Sequence, residues 1–172
     1  MILTGEEIKK KVKSNEIVIN PFDENAINPN SYNFRLGDYV KVYKNKILDS
    51  KIKQECEIIN IGKDGLLLSP DILYLGYTME EMGSCSYVPI ISGRSSTGRL
   101  GLFIHITADL IDIGSINHWT LQLHAVQPVR IYKEMPIGQV TFWKPFGDIV
   151  LYNGKYQGSK EPKESQIWKD FL

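Results

Sequence analysis

SGRSSTGRLGLFIHITADLIDIGSINHWT, residues 92–120, runs directly into WTLQLH at residues 119–124. In that final run apolar and polar residues alternate. Trp119, Leu121 and Leu123 share one face, and Thr120, Gln122 and His124 share the other. A period of two is the mark of a half-buried strand. The opening of the stretch differs in kind. Ser92 to Arg99 gathers Arg94 and Arg99, the hydroxyls of Ser95, Ser96 and Thr97, and unhindered glycine backbone. Arginine forks match phosphate oxygens bidentately, and glycine lets backbone N–H groups approach an anion closely. A turn carrying an arginine salt bridge is the alternative reading. Between the two ends, an apolar segment closes on Ile111-Asp112. That aspartate is either an ordinary turn residue or a carboxylate able to orient a water or a sugar hydroxyl.

The flanking sequence is also strand and turn, apart from its beginning. Thr4-Gly5-Glu6-Glu7 forms a capping box, in which the Thr4 hydroxyl accepts from the Glu7 N–H and the Glu7 carboxylate reaches back. Leu3 and Ile8 stand at staple positions, and Ile8 with Val12 makes an apolar i, i+4 pair. A short helix is predicted from Gly5 to Lys13. Strands are predicted at residues 17–19, 32–36, 39–44, 56–61, 66–68, 71–79, 87–91, 119–124, 129–133 and 137–143. The Lys63-Asp64-Gly65 turn predicts that 56–61 and 66–68 form a hairpin. Short strands broken by Gly, Pro and Asn favour a β-sandwich or barrel over a βαβ fold. The polar, cationic segment Asn153 to Pro162 reads as part of a mobile tail, from about residue 152, that can order over an anionic ligand. No linker divides residues 1–172, so one domain is expected.

Lys+Arg and Asp+Glu both total 20, so no overall positive field draws the chain to a polynucleotide. Cys56 and Cys85 have no metal-ligand or redox spacing and are expected to be reduced. The N-terminus MILTGEEIKKKVK has charges where a signal peptide needs its apolar core, and no apolar run approaches a membrane span. A cytoplasmic, soluble protein is expected.

His105, His118 and His124 form no metal-binding pattern, and the H-x-E with P-C-x-x-C signature of zinc deaminases is absent. Nor is there a G-x-x-x-x-G-K-[ST] loop. SGRSSTGRLG at 92–101, followed by Ile111-Asp112 and a strand, resembles the dCTP deaminase family, relatives of the trimeric dUTPases. The resemblance extends to NSYNFRLG at 30–37 and YNGKYQG at 152–158. It implies a mainly β fold, a distorted β-barrel or jelly-roll of the dUTPase-like type with a short N-terminal helix. It also implies a homotrimer with sites between subunits, and a deoxypyrimidine triphosphate ligand. Mg²⁺ would be held mainly by the triphosphate, with no protein metal site and no zinc.

Carried over by position, Arg94, Ser95 and Ser96 would hold phosphates and Arg99 would lie near the reacting centre. Ala108 and Thr120 would border the base, and Asp112 would contact the deoxyribose and orient water. Tyr152 would pack on the nucleotide, with Lys155 and Lys160 pairing with the triphosphate. The groups implied in catalysis are Gln122, Arg99, Asp112 and Ser95. Gln122 departs from the family, whose deaminating members have Glu there as proton shuttle. A neutral amide hydrogen-bonds but does not titrate, and loss of a general base removes about two to four orders of magnitude in rate. Ser115, Asn117, Leu110 and Ser159 also depart from the family's pattern. The family reaction is dCTP plus water to dUTP plus ammonia, in dUTP and dTTP precursor metabolism. Two alternatives stand beside it: a dUTP diphosphatase using Asp112, and a non-catalytic nucleotide-binding or regulatory trimer.

Overall fold

Burial divides the alternating strand as its pattern predicts: Leu121, Leu123 and Ala125 are inaccessible, while Thr120, Gln122 and His124 are half-buried. The computed structural model describes every residue from Met1 to Leu172. In chain order come helix α1 (Gly5–Lys13) and strands β1 (Val18–Asn20), β2 (Ile27–Asn28), β3 (Ser31–Arg35), β4 (Tyr39–Tyr43) and β5 (Cys56–Asn60). Then follow β6 (Leu66–Leu68), β7 (Tyr74–Tyr77), β8 (Glu81–Gly83), β9 (Val88–Gly93) and a five-residue helix α2 (Ser95–Arg99). Strands β10 (Leu102–Phe103), β11 (Thr120–Ala125), β12 (Val129–Ile131) and β13 (Pro136–Trp143) complete the β part.

All pairing is antiparallel. One sheet has the order β10-β11-β7-β4-β5, a second has β2-β3-β13-β9, and β1-β8 and β12-β6 are two-stranded ladders. One hydrophobic cluster draws on both larger sheets, with Phe34, Val140 and Phe142 from the second and Val40, Leu121 and Leu123 from the first. The fold is mainly β as expected, but the sheets do not close into a barrel. They meet instead at a corner, through the isolated bridge between Leu36 and Thr78. No helix is long and apolar enough to cross a membrane. Cys56 and Cys85 are both free thiols.

Two local expectations change. Residues 56–61 and 66–68 do not form a hairpin, because β5 pairs with β4 while β6 pairs with β12. The turn itself is present, with Gly65 at φ 77°, and a Cβ there would stand 2.6 Å from the Ile131 carbonyl oxygen. Gly65 therefore serves a left-handed turn pressed against β12, and it sends Leu68 into the core. Turn chemistry sets local geometry, whereas burial chooses the partner. The capping box is half formed. The Glu7 N–H donates to Thr4 Oγ1 at 3.4 Å, but the Glu7 carboxylate faces Lys10 and Lys11 instead of returning to Thr4.

At the corner between the sheets lies a buried ion pair. Glu80 is wholly inaccessible, and its two oxygens accept from Arg35 Nε at 2.7 Å and from the Arg35 backbone N–H at 2.9 Å. The hydrogen bond to Glu80 raises the Arg35 pKa above its ordinary value. Removing one partner of a buried pair leaves a charge that is neither solvated nor compensated. Arg35→Met is expected to cost about 3 kcal/mol, lowering the melting midpoint by roughly 6–12 °C in a chain of this size. Glu24→Gln, which breaks the exposed Lys9–Glu24 pair, should leave the midpoint nearly unchanged. Equal shifts for the two variants in a thermal melt would contradict this assignment.

Candidate functional site

Strand β11 builds one wall of the site. Its period of two turns Thr120 and Gln122 away from the core, into a cavity of about 710 Å³. Leu75 of β7 and Trp119 provide apolar lining. Ala108, Leu110 and Asp112, from the loop between β10 and β11, face the same space, as do Tyr152, Lys155 and Asp170 from the tail. Residues distant in sequence but expected together on one nucleotide thus converge: Ala108, Asp112, Thr120, Gln122, Tyr152 and Lys155.

Gln122 is held at both ends. Its backbone N–H donates to the Ile104 carbonyl at 2.9 Å, and its side-chain Oε1 accepts from the Ile106 N–H at 3.1 Å. The Thr120 hydroxyl oxygen accepts from the Lys163 N–H at 2.9 Å. Asp112 is exposed at the cavity, with its carboxylate in no salt bridge. Its backbone carbonyl accepts from the Ser115 N–H, closing a turn with Gly114 at φ 92°. A side chain at Gly114 would lie 3.0 Å from both Leu151 Cβ and Tyr152 N, so glycine lets the tail dock against this turn.

The tail is folded across the cavity. The Tyr152 N–H donates to the Ile113 carbonyl at 2.7 Å, and Gln157 Nε2 donates to the Gly114 carbonyl at 2.9 Å. Buried Asn117 joins the two sides. Its Oδ1 accepts from the Ser159 N–H at 2.9 Å, and its Nδ2 donates to Ser115 Oγ at 2.8 Å. Ser115, Asn117 and Ser159, three of the positions that depart from the family pattern, therefore form one hydrogen-bonded set. A single 3₁₀ turn, Ile167–Phe171, returns the chain end to the site. There Asp170 accepts from Lys155 Nζ at 2.6 and 2.7 Å.

The arginine–serine run lies elsewhere. Ser95, Ser96 and Arg99 are exposed on α2, and neither they nor Arg94 or Lys160 lines the cavity. Buried Thr97 anchors α2 to β13 by donating to the Ile137 carbonyl at 3.2 Å, and Arg94 Nη1 donates to the Pro136 carbonyl at 3.2 Å. Neither Arg94 nor Arg99 is in a salt bridge, contrary to the simple-turn reading of the run. Around α2 and β10 the surface is apolar, with Leu100, Phe103, Ile106, Leu110 and Val126 each at least half exposed. Tyr156 of the YNGKYQG run also lines the cavity, as do Tyr43, His118 and Asp170, although nothing in the local sequence of these last three marks them. They arrive through sheet order and tail return, which carry no local motif.

A family model described as dCTP deaminase-like matches residues 2–145. A Clostridium beijerinckii protein, "dCTP deaminase, dUMP-forming", is 50% identical over 172 residues, covering 99% of each chain. Proteins of the same name from Cytophaga hutchinsonii and Clostridium acetobutylicum are 45% and 43% identical, each over at least 99% of this chain. Among solved structures, the 2'-deoxycytidine 5'-triphosphate deaminase from Agrobacterium tumefaciens shares the fold, with a TM-score of 0.65 at 18% identity. That alignment spans 82% of this chain but only 47% of the Agrobacterium chain.

The Lys155–Asp170 pair gives the tail a titratable latch. Its hydrogen bonds with Asp170 hold the Lys155 pKa above the ordinary value of 10.5. The lysine's contribution to the latch is therefore fully present below pH 10.5 and is lost as pH rises through the raised value. Asp170→Asn is expected to return Lys155 toward 10.5, as followed by NMR titration of its Nζ. An unmoved titration would show that the two groups are not paired in solution.

Proposed function

The chain belongs to the dCTP deaminase-like family, and we propose that it hydrolyses a deoxypyrimidine nucleoside triphosphate to the monophosphate and diphosphate. In this reading, triphosphate hydrolysis is the retained step and deamination at C4 the diminished one. The observation that carries it is the convergence of Ala108, Asp112, Thr120, Gln122 and Tyr152 on one cavity large enough for a nucleoside.

Asp112 orients a water and accepts its proton as the oxygen attacks the phosphorus nearest the sugar. The new P–O bond forms as the bond to the β,γ-diphosphate breaks, and diphosphate leaves. Arg94, Ser95, Ser96 and Arg99 neutralise the phosphate oxygens, with Lys155 and Lys160 closing from the tail. Because the arginine–serine run does not line the cavity within one chain, the complete site uses α2 of a second subunit in a homotrimer. The apolar surface beside α2 supports such an assembly. Mg²⁺ belongs to this reading as a charge-neutralising ion held by the triphosphate. The chain brings no three His, Cys, Asp or Glu side chains together as a binding cluster. Mg²⁺ is commonly held through phosphates and water with few protein ligands.

Deamination needs a group that takes a proton from water and passes it to the leaving ammonia. The Gln122 amide hydrogen-bonds but does not perform that transfer. With dCTP and Mg²⁺, Gln122→Glu is expected to raise ammonia release by about 10²- to 10⁴-fold. Asp112→Asn is expected to abolish diphosphate release from dUTP while leaving nucleotide binding in place. Unchanged diphosphate release in the aspartate variant would refute the hydrolytic role. Retained binding with no gain in the glutamate variant would refute Gln122 as the limiting group.

A further inference from the structure

Building on the nucleotide reading of this cavity, we infer that its base subsite selects a 4-oxopyrimidine and disfavours a 4-aminopyrimidine. The inference rests on which atoms of Gln122 are already committed. Ile106 supplies a backbone N–H, which can only donate, 3.1 Å from the Gln122 side chain. The atom facing it must be the amide oxygen, since the flipped amide would set N–H against N–H. This leaves the amide nitrogen, with two N–H donors and no partner in the chain, as the group free to meet a ligand.

Thr120, two residues earlier on the same face of β11, adds a second donor. Its hydroxyl oxygen already accepts from the Lys163 N–H at 2.9 Å, and its own proton remains to be placed. The polar face that β11 turns to the cavity therefore carries unplaced protons, two on the Gln122 amide nitrogen and one on the Thr120 hydroxyl. In the nucleotide reading, Gln122 faces the C4 substituent of the base. A carbonyl oxygen at C4 accepts from the Gln122 amide. An exocyclic amino group there would oppose donor with donor, leaving both unsatisfied in a half-enclosed site. A carboxylate at this position would accept from Ile106 with one oxygen and from an amino group with the other. The change from carboxylate to amide thus reverses the hydrogen-bond sense of the subsite while keeping its anchor. The substrate that fits is a uracil-type deoxynucleoside triphosphate, so a separate deaminating reaction must supply it wherever the precursor is a cytosine nucleotide.

The test is isothermal titration of the full-length protein with α,β-imido-dUTP and α,β-imido-dCTP in Mg²⁺. The imide bridge blocks cleavage between the α and β phosphorus atoms, so neither analogue releases diphosphate. The uracil analogue is expected to bind at least about ten-fold more tightly, one hydrogen bond's worth of discrimination. Gln122→Met, similar in size but without donors and without a proton carrier, is expected to bring the ratio close to one. Equal or tighter binding of the cytosine analogue by the unaltered protein would overturn the inference, as would a ratio that Gln122→Met leaves unchanged. If both analogues bind equally while dUTP and dCTP themselves both yield diphosphate, the proposed hydrolysis stands and only the base selectivity falls. If neither analogue binds, both fall together.

Discussion

The buried contact between Arg35 and Glu80 is the constraint on which the rest of the structure depends. Glu80 takes both its ionic partner and a backbone N–H from Arg35, so the end of β3 is tied to the turn between β7 and β8. From that turn the order passes toward the cavity. The Thr78 hydroxyl donates to the Glu80 carbonyl and accepts from the Trp119 N–H, and the His118 ring meets the Thr78 carbonyl at 3.0 Å. The start of the β11 wall thus hangs from a charge pair in the corner between two sheets. A hydrophobic pair of similar volume would fill that space but would not fix these directions.

The second organising feature is the return of the tail. The Asp112–Gly114 turn meets Tyr152 and Gln157, and Asn117 bonds both Ser115 and Ser159. These contacts place a carboxylate, an aromatic ring and a lysine around one cavity, from segments separated by about forty residues. Ser115, Asn117 and Ser159 replace residues that the family resemblance would lead one to expect, and they do so as a mutually bonded set. Ser115 and Asn117 bond side chain to side chain, whereas Ser159 meets Asn117 through its backbone N–H and turns its hydroxyl to the Tyr156 carbonyl.

At the cavity wall the orientation of one side chain is set by a backbone group from another segment. Ile106 fixes which way the Gln122 amide points, so the group it leaves without a partner is the NH₂, a donor that does not titrate. An amide hydrogen-bonds as a carboxylate does but does not carry a proton. Fold, cavity and anchor can persist through a change from one to the other while the reaction shifts, since fold and function are separable.

By itself, the sequence determined the features that depend on local order. The period of two from Trp119 to His124 established a strand and set Gln122 and Thr120 on its solvent face. The capping residues and apolar spacing located the first helix from Gly5 to Lys13, and the NSYNFRLG and SGRSSTGRLG runs carried the family. Short strands broken by turn residues established a mainly β class. Only the tertiary structure decided that β6 leaves β5 for β12, that the sheets stay open at the Leu36–Thr78 corner, and that Arg94 and Arg99 stand apart from the cavity holding Asp112. It also decided which Gln122 atom is free. The physical reason is common to all four. Periodicity and turn chemistry act between near neighbours, whereas strand partners, cavity walls and committed hydrogen bonds are chosen by burial and by donors that arrive from far along the chain.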